Sequence, residues 1–334
     1  MNKPLPPHIR TESSTGKMMT DILLAFIPLG IFSFVNYGLR PVLILLISML
    51  SAILAEMLCC AIGKKPLRNV GDGTAAVTGL IIGLAMSPMV AYWLPALTSV
   101  FAIVVAKAPF GGTGRNVFNP AAAGLAVMTY CFPSRMFTYP ALGQGALPLS
   151  VSVANTGVIS APSLASQLRA GASPAINFMQ MFLGDFVGPI GATAGLILLA
   201  FVAYLIIHRT ASGWVVLPYL ITCTVVAWLF PLQGMTHVYS TFAQVCAGYV
   251  LFTGVFLIND PVTAPRFWLG RLLYGVATGI LVMLLQRIGR AEAGCCFAIL
   301  IMNALAPVID RFSWHTWHRL TKRYRIRQEV KAYD

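Results

Sequence analysis

The sequence predicts an all-α polytopic membrane protein with about ten transmembrane helices. Three observations carry that class. Of the 334 residues 57% are hydrophobic, only 10% are charged, and the mean hydropathy is +0.78, more apolar surface than a soluble domain of this length can hide. The apolar residues collect into ten runs, each near the ~20 residues needed to cross a hydrocarbon core. The 23 basic residues, which dominate a net charge of +13, lie between those runs. Topology therefore accounts for them better than nucleic-acid binding does.

Residues 1–20 are polar and carry Pro4, Pro6 and Pro7 without an apolar core, so they read as a short cytoplasmic arm and not as a cleavable signal peptide. The first transmembrane half, 21–132, contains spans expected at 21–37, 41–62, 73–87, 90–107 and 117–132. The third is short and ends at Ser87-Pro88, which predicts a broken or tilted helix. A polar interval, 133–181, is rich in Ser, Ala, Gly and Pro and nearly free of charge, as expected of an extracytoplasmic loop with small helices or extended chain. The second half, 182–310, supplies spans at 182–207, 213–231, 240–258, 267–286 and 294–310, and 311–334 is a basic tail. Ten spans place both termini on one side. Seventeen basic residues then share that side, five lie opposite, and Arg271 falls inside a span. By the positive-inside rule the basic side is cytoplasmic.

Several stretches carry candidate chemistry. Glu56 lies within the second span, roughly two turns from its inner end; an intramembrane carboxylate marks an ion pathway or simply hydrogen-bonds to a neighbour. Asp72, in Gly71-Asp72-Gly73-Thr74, is placed to accept the first free amides of the third span. The glycine loop from Gly111 to Gly114 leads into Asn116-Val117-Phe118-Asn119-Pro120. Asparagine amides offer donors and an acceptor, suited to an isoalloxazine edge or a quinone, and a helix broken before Pro120 would expose backbone lining a cavity. Capping is the plainer role for both residues.

Asp185 is expected to cap the sixth span. Within Gly188-Pro189-Ile190-Gly191-Ala192-Thr193-Ala194-Gly195, Thr193 stands where a polar segment meets a membrane-length run. It is either part of a small-residue packing face or an exposed hydroxyl available for modification.

Asn259-Asp260-Pro261-Val262-Thr263 answers Asp72-Gly73-Thr74, and the run from Phe297 to Pro307 around Asn303 answers the run around Asn119. Two five-helix inverted repeats with discontinuous helices are the expected architecture. The seven cysteines include no CxxC pair, so small buried hydrophobes are their expected role. The histidines form no haem-ligand pair.

Taken in order, the segments at Gly71, Asn116, Asp260 and Phe297 to Asp310 resemble the RnfD/NqrB family of membrane subunits, from about residue 20 to 311. The short N-terminal arm resembles the RnfD branch most. The resemblance implies the RnfD membrane component of an Rnf-type ion-translocating ferredoxin:NAD oxidoreductase in the inner membrane of a prokaryote. It also implies covalent FMN, joined by its phosphate to Thr193 by a flavin transferase acting outside the membrane. Asn116 and Asn119 are the candidates for a second, noncovalent flavin such as riboflavin. Other complex subunits, the transferase and membrane lipid are the implied partners.

The family motif commonly reads Gly-Ser-x-Gly-Glu-Thr-Ser, where this chain has Pro189, Ala192 and Ala194 in place of serine, glutamate and the second serine. Alternatives from the same resemblance are an NqrB-like subunit of a sodium-pumping quinone reductase and a solute channel like those for urea or ammonium, without flavin.

Overall fold

A computed structural model describes residues 15–64, 71–150, 157–172, 174, 176–289 and 292–333. Most of the N-terminal arm, together with Lys3, Arg10, Lys65, Arg68 and Arg290 from the charge count, lies outside the described residues. Among the described residues the regular secondary structure is helical apart from one short antiparallel strand pair, Tyr139–Pro140 with Ser160–Ala161.

The ten apolar runs become ten membrane elements of unequal length. Four helices are long enough to cross alone: α1 (Thr15–Tyr37), α2 (Leu39–Ile62), α13 (Trp268–Ile288) and α14 (Gly294–Tyr333). Five are shorter: α3 (Thr74–Leu84), α4 (Trp93–Ala106), α5 (Pro120–Cys131), α9 (Gly195–Ile207) and α10 (Gly213–Leu229). The tenth is a pair, α11 (His237–Cys246) and α12 (Val250–Phe252), bent by 55° and continued by a π-helical turn, Thr253–Leu257. Between the halves lie α6 (Pro133–Met136), the strand pair, α7 (Leu164–Arg169) and α8 (Phe178–Leu183).

Each half uses its five elements alike. The second and fourth pack together, α2 with α4 and α10 with α13; the fourth also packs on the fifth, α4 on α5 and α13 on α14. Small residues let the backbones approach. A Cβ on Gly79 of α3 would lie 2.6 Å from the Ser48 carbonyl oxygen, and one on Gly275 of α13 would lie 2.5 Å from that of Val215, so both crossings depend on glycine. The first half begins at the end of the molecule holding Asp21, Asp72 and Lys107, and the second begins at the opposite end, beside Met86 and Pro88. The halves therefore run in opposite directions, as five elements each require.

The third element of both halves is broken. Helix α3 stops at Leu84, before the expected Ser87-Pro88, and the chain continues without helix to Tyr92. The predicted crossing at 182–207 is the clearest departure. Gly184–Ala194 is not helical, and Gly184 has φ +91°, a conformation that L side chains rarely adopt. Asp185 consequently does not cap α9, whose cap position is Ala194. Asp260 closes a turn, with Ala264 N donating to its carbonyl at 3.1 Å, and α13 starts at Trp268. The basic tail continues α14 as helix through Tyr333.

Tryptophans mark two levels. Trp214, Trp268 and Trp317 cluster at one end, with ring centroids 5.9 Å and 6.5 Å apart. At the other end Trp93 packs under the Arg135 guanidinium and Trp228 against His237. Two aromatic girdles are the expected signature of a bilayer's two interfaces. The multi-pass membrane class expected from composition holds.

Candidate functional site

Breaking α3 at Leu84 frees a run of carbonyl groups inside the protein, and each buried one needs a donor. Gly191 N donates to Leu84 O at 2.8 Å and Ile190 N to Met86 O at 2.9 Å. Tyr249, at the bend of the other broken element, donates its hydroxyl to Ala85 O at 2.5 Å. Arg40 supplies the remainder: its Nε reaches Pro88 O and its Nη2 reaches Val90 O, both at 2.9 Å. Its Nη1 holds Pro148 O at 3.0 Å and Ser150 O at 2.5 Å, and its guanidinium lies over the Tyr92 ring at 4.7 Å. The two broken elements, the loop before α9 and the chain between the halves thus meet in one hydrogen-bonded centre.

Thr193 sits in that docked loop. Its side chain is 1% exposed, so the expected exposed hydroxyl is instead enclosed. Two glycines fix it there. A Cβ on Gly188 would stand 2.7 Å from Thr193 Cγ2, and one on Gly191 would stand 2.8 Å from Leu84 Cβ. Ala192 and Ala194 are buried as well, and with alanine at both positions the loop provides no polar side chain next to Thr193. Beside the loop a cavity of about 270 Å³ is lined by Phe32, Asn36, Tyr37, Gly143, Gly184 and Asp185.

A second polar group gathers at the opposite end. Lys107, expected at the cytoplasmic end of the fourth span, is buried and pairs with Glu56: Nζ lies 2.5 Å from Oε1 and also donates to Thr74 Oγ1 at 2.6 Å. Glu56 Oε2 is buried without a hydrogen-bond partner, and the residue lines a cavity of about 760 Å³ with Cys59, Cys60 and Asp72. Asp72 accepts from Thr74 N at 3.0 Å and Thr74 Oγ1 at 2.6 Å, serving the start of α3 as expected. Burial opposes its ionisation, but hydrogen bonds from Thr74 and Thr113 and the Lys107 charge outweigh burial and hold its carboxyl below the ordinary range.

Asn119 caps α5. Its Oδ1 accepts from Ala122 N at 3.2 Å while its Nδ2 donates to Leu257 O at 3.0 Å. Asn116 donates to Phe118 O at 3.2 Å and Asp260 Oδ2 at 3.3 Å. Burial pushes the Asp260 carboxyl up, against the hydrogen bonds from Val262, Asn116 and Thr263 and the Lys107 charge. Asn303 lies mid-helix in α14. In the amide orientation that satisfies both ends, it accepts from Asn119 N and donates to Tyr274 Oη, both at 2.8 Å. Asn119 caps the start of α5 whereas Asn303 lies inside α14, so they are contact partners at different places in their elements and not repeat equivalents, and the likeness of Asp72 to Asp260 reflects similar turn chemistry. Both asparagines that precede α5 line a cavity of about 270 Å³ with Lys107, Asp260 and Asn259, whose buried Oδ1 has no hydrogen-bond partner.

Sequence reasoning also missed Glu292. It accepts from Ser163 Oγ at 2.7 Å and Tyr139 Oη at 2.9 Å, with Arg169 at 3.6 Å, tying the segment between the halves to the α13–α14 connection. Only its placement among apolar residues at a predicted loop could have singled it out.

A model of the NQR2, RnfD, RnfE family matches residues 4–316. The D-type subunit of the proton-translocating ferredoxin:NAD(+) oxidoreductase complex of Clostridium ljungdahlii is 28% identical, with 92% of each chain covered. Its counterpart in the Na(+)-translocating ferredoxin:NAD(+) oxidoreductase complex of Acetobacterium woodii is 29% identical over 98% of this chain and 96% of that one. The D-type subunit of the ion-translocating oxidoreductase complex of Yersinia enterocolitica is 30% identical over 92% and 95%.

Proposed function

Because this chain belongs to the NQR2, RnfD, RnfE family, we propose that it is the RnfD-type subunit of an ion-translocating ferredoxin:NAD oxidoreductase and relays electrons through FMN esterified to Thr193. Bound there, FMN would supply one-electron transfer. The observation that carries the reading is the placement of Thr193, which matches the threonine of the resembled motif, in a loop docked on the break after α3.

The chain's own part is placement. Thr193 Oγ would carry the phosphoester, Gly188 leaves room for its side chain, and Gly191, Tyr249 and Arg40 fix the surrounding backbone. The adjoining cavity beside Tyr37 and Asp185 has room for a flavin ring system, while the phosphate would stay on the loop. Because Thr193 is enclosed, the transferase would need the loop undocked or not yet packed. Asn116, Asn119 and Asn259 line the cavity that would suit a second flavin such as riboflavin, with Asn259 Oδ1 available as an acceptor. A rigid bundle that keeps such groups dry and fixed is what an electron relay requires.

In this reading the basic end is cytoplasmic, Thr193 lies toward the outer face, and the other Rnf-type subunits supply the ferredoxin and NAD chemistry. Glu56, which lines a cavity and whose buried Oε2 has no hydrogen-bond partner, is the candidate for the ion pathway. The related subunits carry both proton- and sodium-translocating names.

Ferredoxin-dependent NAD reduction by membranes carrying the assembled complex tests the proposal. Thr193→Val should lower the rate at least roughly tenfold, about 1.4 kcal/mol in the barrier, with subunit content unchanged. An assembled variant complex with the unaltered rate would overturn the relay role of Thr193.

A further inference from the structure

At the basic end, a cavity of about 540 Å³ opens between the start of α13, the approach to α5 and the last membrane turns of α14. Arg266 and Arg311 line it, with Phe267, Trp314 and Asn116. Asp310 is the carboxylate within it, and that group is already committed. Its oxygens accept from Arg266 N at 2.9 and 3.2 Å and from Phe267 N at 3.5 Å, serving the free amides at the start of α13.

Among the described residues the ion pairs are Lys107–Glu56 and Arg169–Glu292, so neither arginine is neutralised by a carboxylate. The two are brought together by the tight crossing at Gly270, where a Cβ would lie 3.0 Å from Ser313 Oγ and 3.4 Å from Asp310 Oδ1. Their height is also fixed. Trp314 shares the cavity, and Trp268 contacts Trp317 one helical turn from it, so the arginines lie at an aromatic girdle, where phospholipid phosphates are found.

We propose that this cavity binds the phosphodiester headgroup of an anionic phospholipid from the leaflet at the basic end. Arg266 and Arg311 bind the phosphate oxygens, because guanidinium forks match phosphate geometry and remain charged at this depth. The acyl chains extend from the girdle toward the middle of the membrane. A basic pocket between membrane helices is a recognised form of headgroup site, and a zwitterionic lipid would bring a third cation to a site that already has two. The proposal depends on the membrane placement of α14 and not on the flavin reading.

The test is native mass spectrometry of the full chain in detergent, titrated with phosphatidylglycerol, beside the double variant Arg266→Gln/Arg311→Gln. Two interfacial charges at about 1 kcal/mol each correspond to a loss of roughly 30-fold in affinity. Unchanged thermal unfolding of the lipid-free variant would separate this loss from misfolding. If the double variant does not fold, Arg311→Gln alone should still lose roughly fivefold, since that side chain is exposed. Phosphatidylethanolamine should not displace the bound lipid, and neither should inorganic phosphate. Equal binding by wild type and variant, equal competition by phosphatidylethanolamine, or displacement by inorganic phosphate, which would make this a simple anion site, each overturns the proposal.

Discussion

Glu56 and Lys107 lie on different helices and meet at 2.5 Å with little access to water. A buried pair of this kind offers little net stability over an apolar pair, but removing one partner leaves a charge with nothing to offset its desolvation. Lys107→Met should therefore cost about 3–5 kcal/mol, seen as a lower thermal midpoint in detergent, and Glu56→Gln/Lys107→Met should recover much of it. A single variant as stable as wild type would show that Glu56 finds water or protonates freely. Glu56 was legible in the sequence because a carboxylate interrupts an apolar run. Lys107 was not, since at the end of such a run a lysine reads as a loop cation. Arg40 was hidden for the same reason: counted with the loop charges, it is fully buried among carbonyl groups. A charge count assigns sides of a membrane and cannot tell which cations turn inward.

Glu292 belongs to the scale of elements, because it joins the segment between the halves to the connection from α13 to α14. Burial raises its pKa from the ordinary 4.5, and the hydrogen bonds from Ser163 and Tyr139 and the Arg169 charge offset only part of that rise. The folded state therefore binds the proton more tightly than the unfolded chain does. Its contribution is most favourable below the ordinary value and is lost as pH rises through the raised one. Stability measured by thermal unfolding should fall as pH rises above the ordinary value of 4.5, and Glu292→Gln should flatten that slope; an identical slope in the variant would remove Glu292 as its source. Among elements, the break after α3 was legible from Ser87-Pro88. The break before α9 was not, because hydropathy counts Gly184 to Ala194 as apolar whether or not the backbone is helical. What makes that stretch a loop is its docking onto Leu84 and Met86, a contact across about a hundred residues that no local pattern contains.

For the whole molecule, ten elements in two oppositely directed sets of five were legible from composition, run length and the uneven distribution of charge, all of which follow from the bilayer as solvent. The pairing of the two broken elements was not, since Tyr249 and Ala85 are joined only by the fold. Orientation follows from the basic end: a fluorescent protein fused after Asp334 should glow in the cytoplasm, and Gly143→Cys should react with an impermeant thiol reagent added outside intact cells. The reverse labelling would invert the molecule and move Thr193 away from an external transferase. The central claim is the flavin on that threonine, and in-gel fluorescence of the denatured chain, co-expressed with its flavin transferase, tests it most directly. A fluorescent band in wild type that disappears in Thr193→Val is the predicted result. A dark wild-type band beside a fluorescent flavinylated control, or a band that persists in the variant, would contradict it.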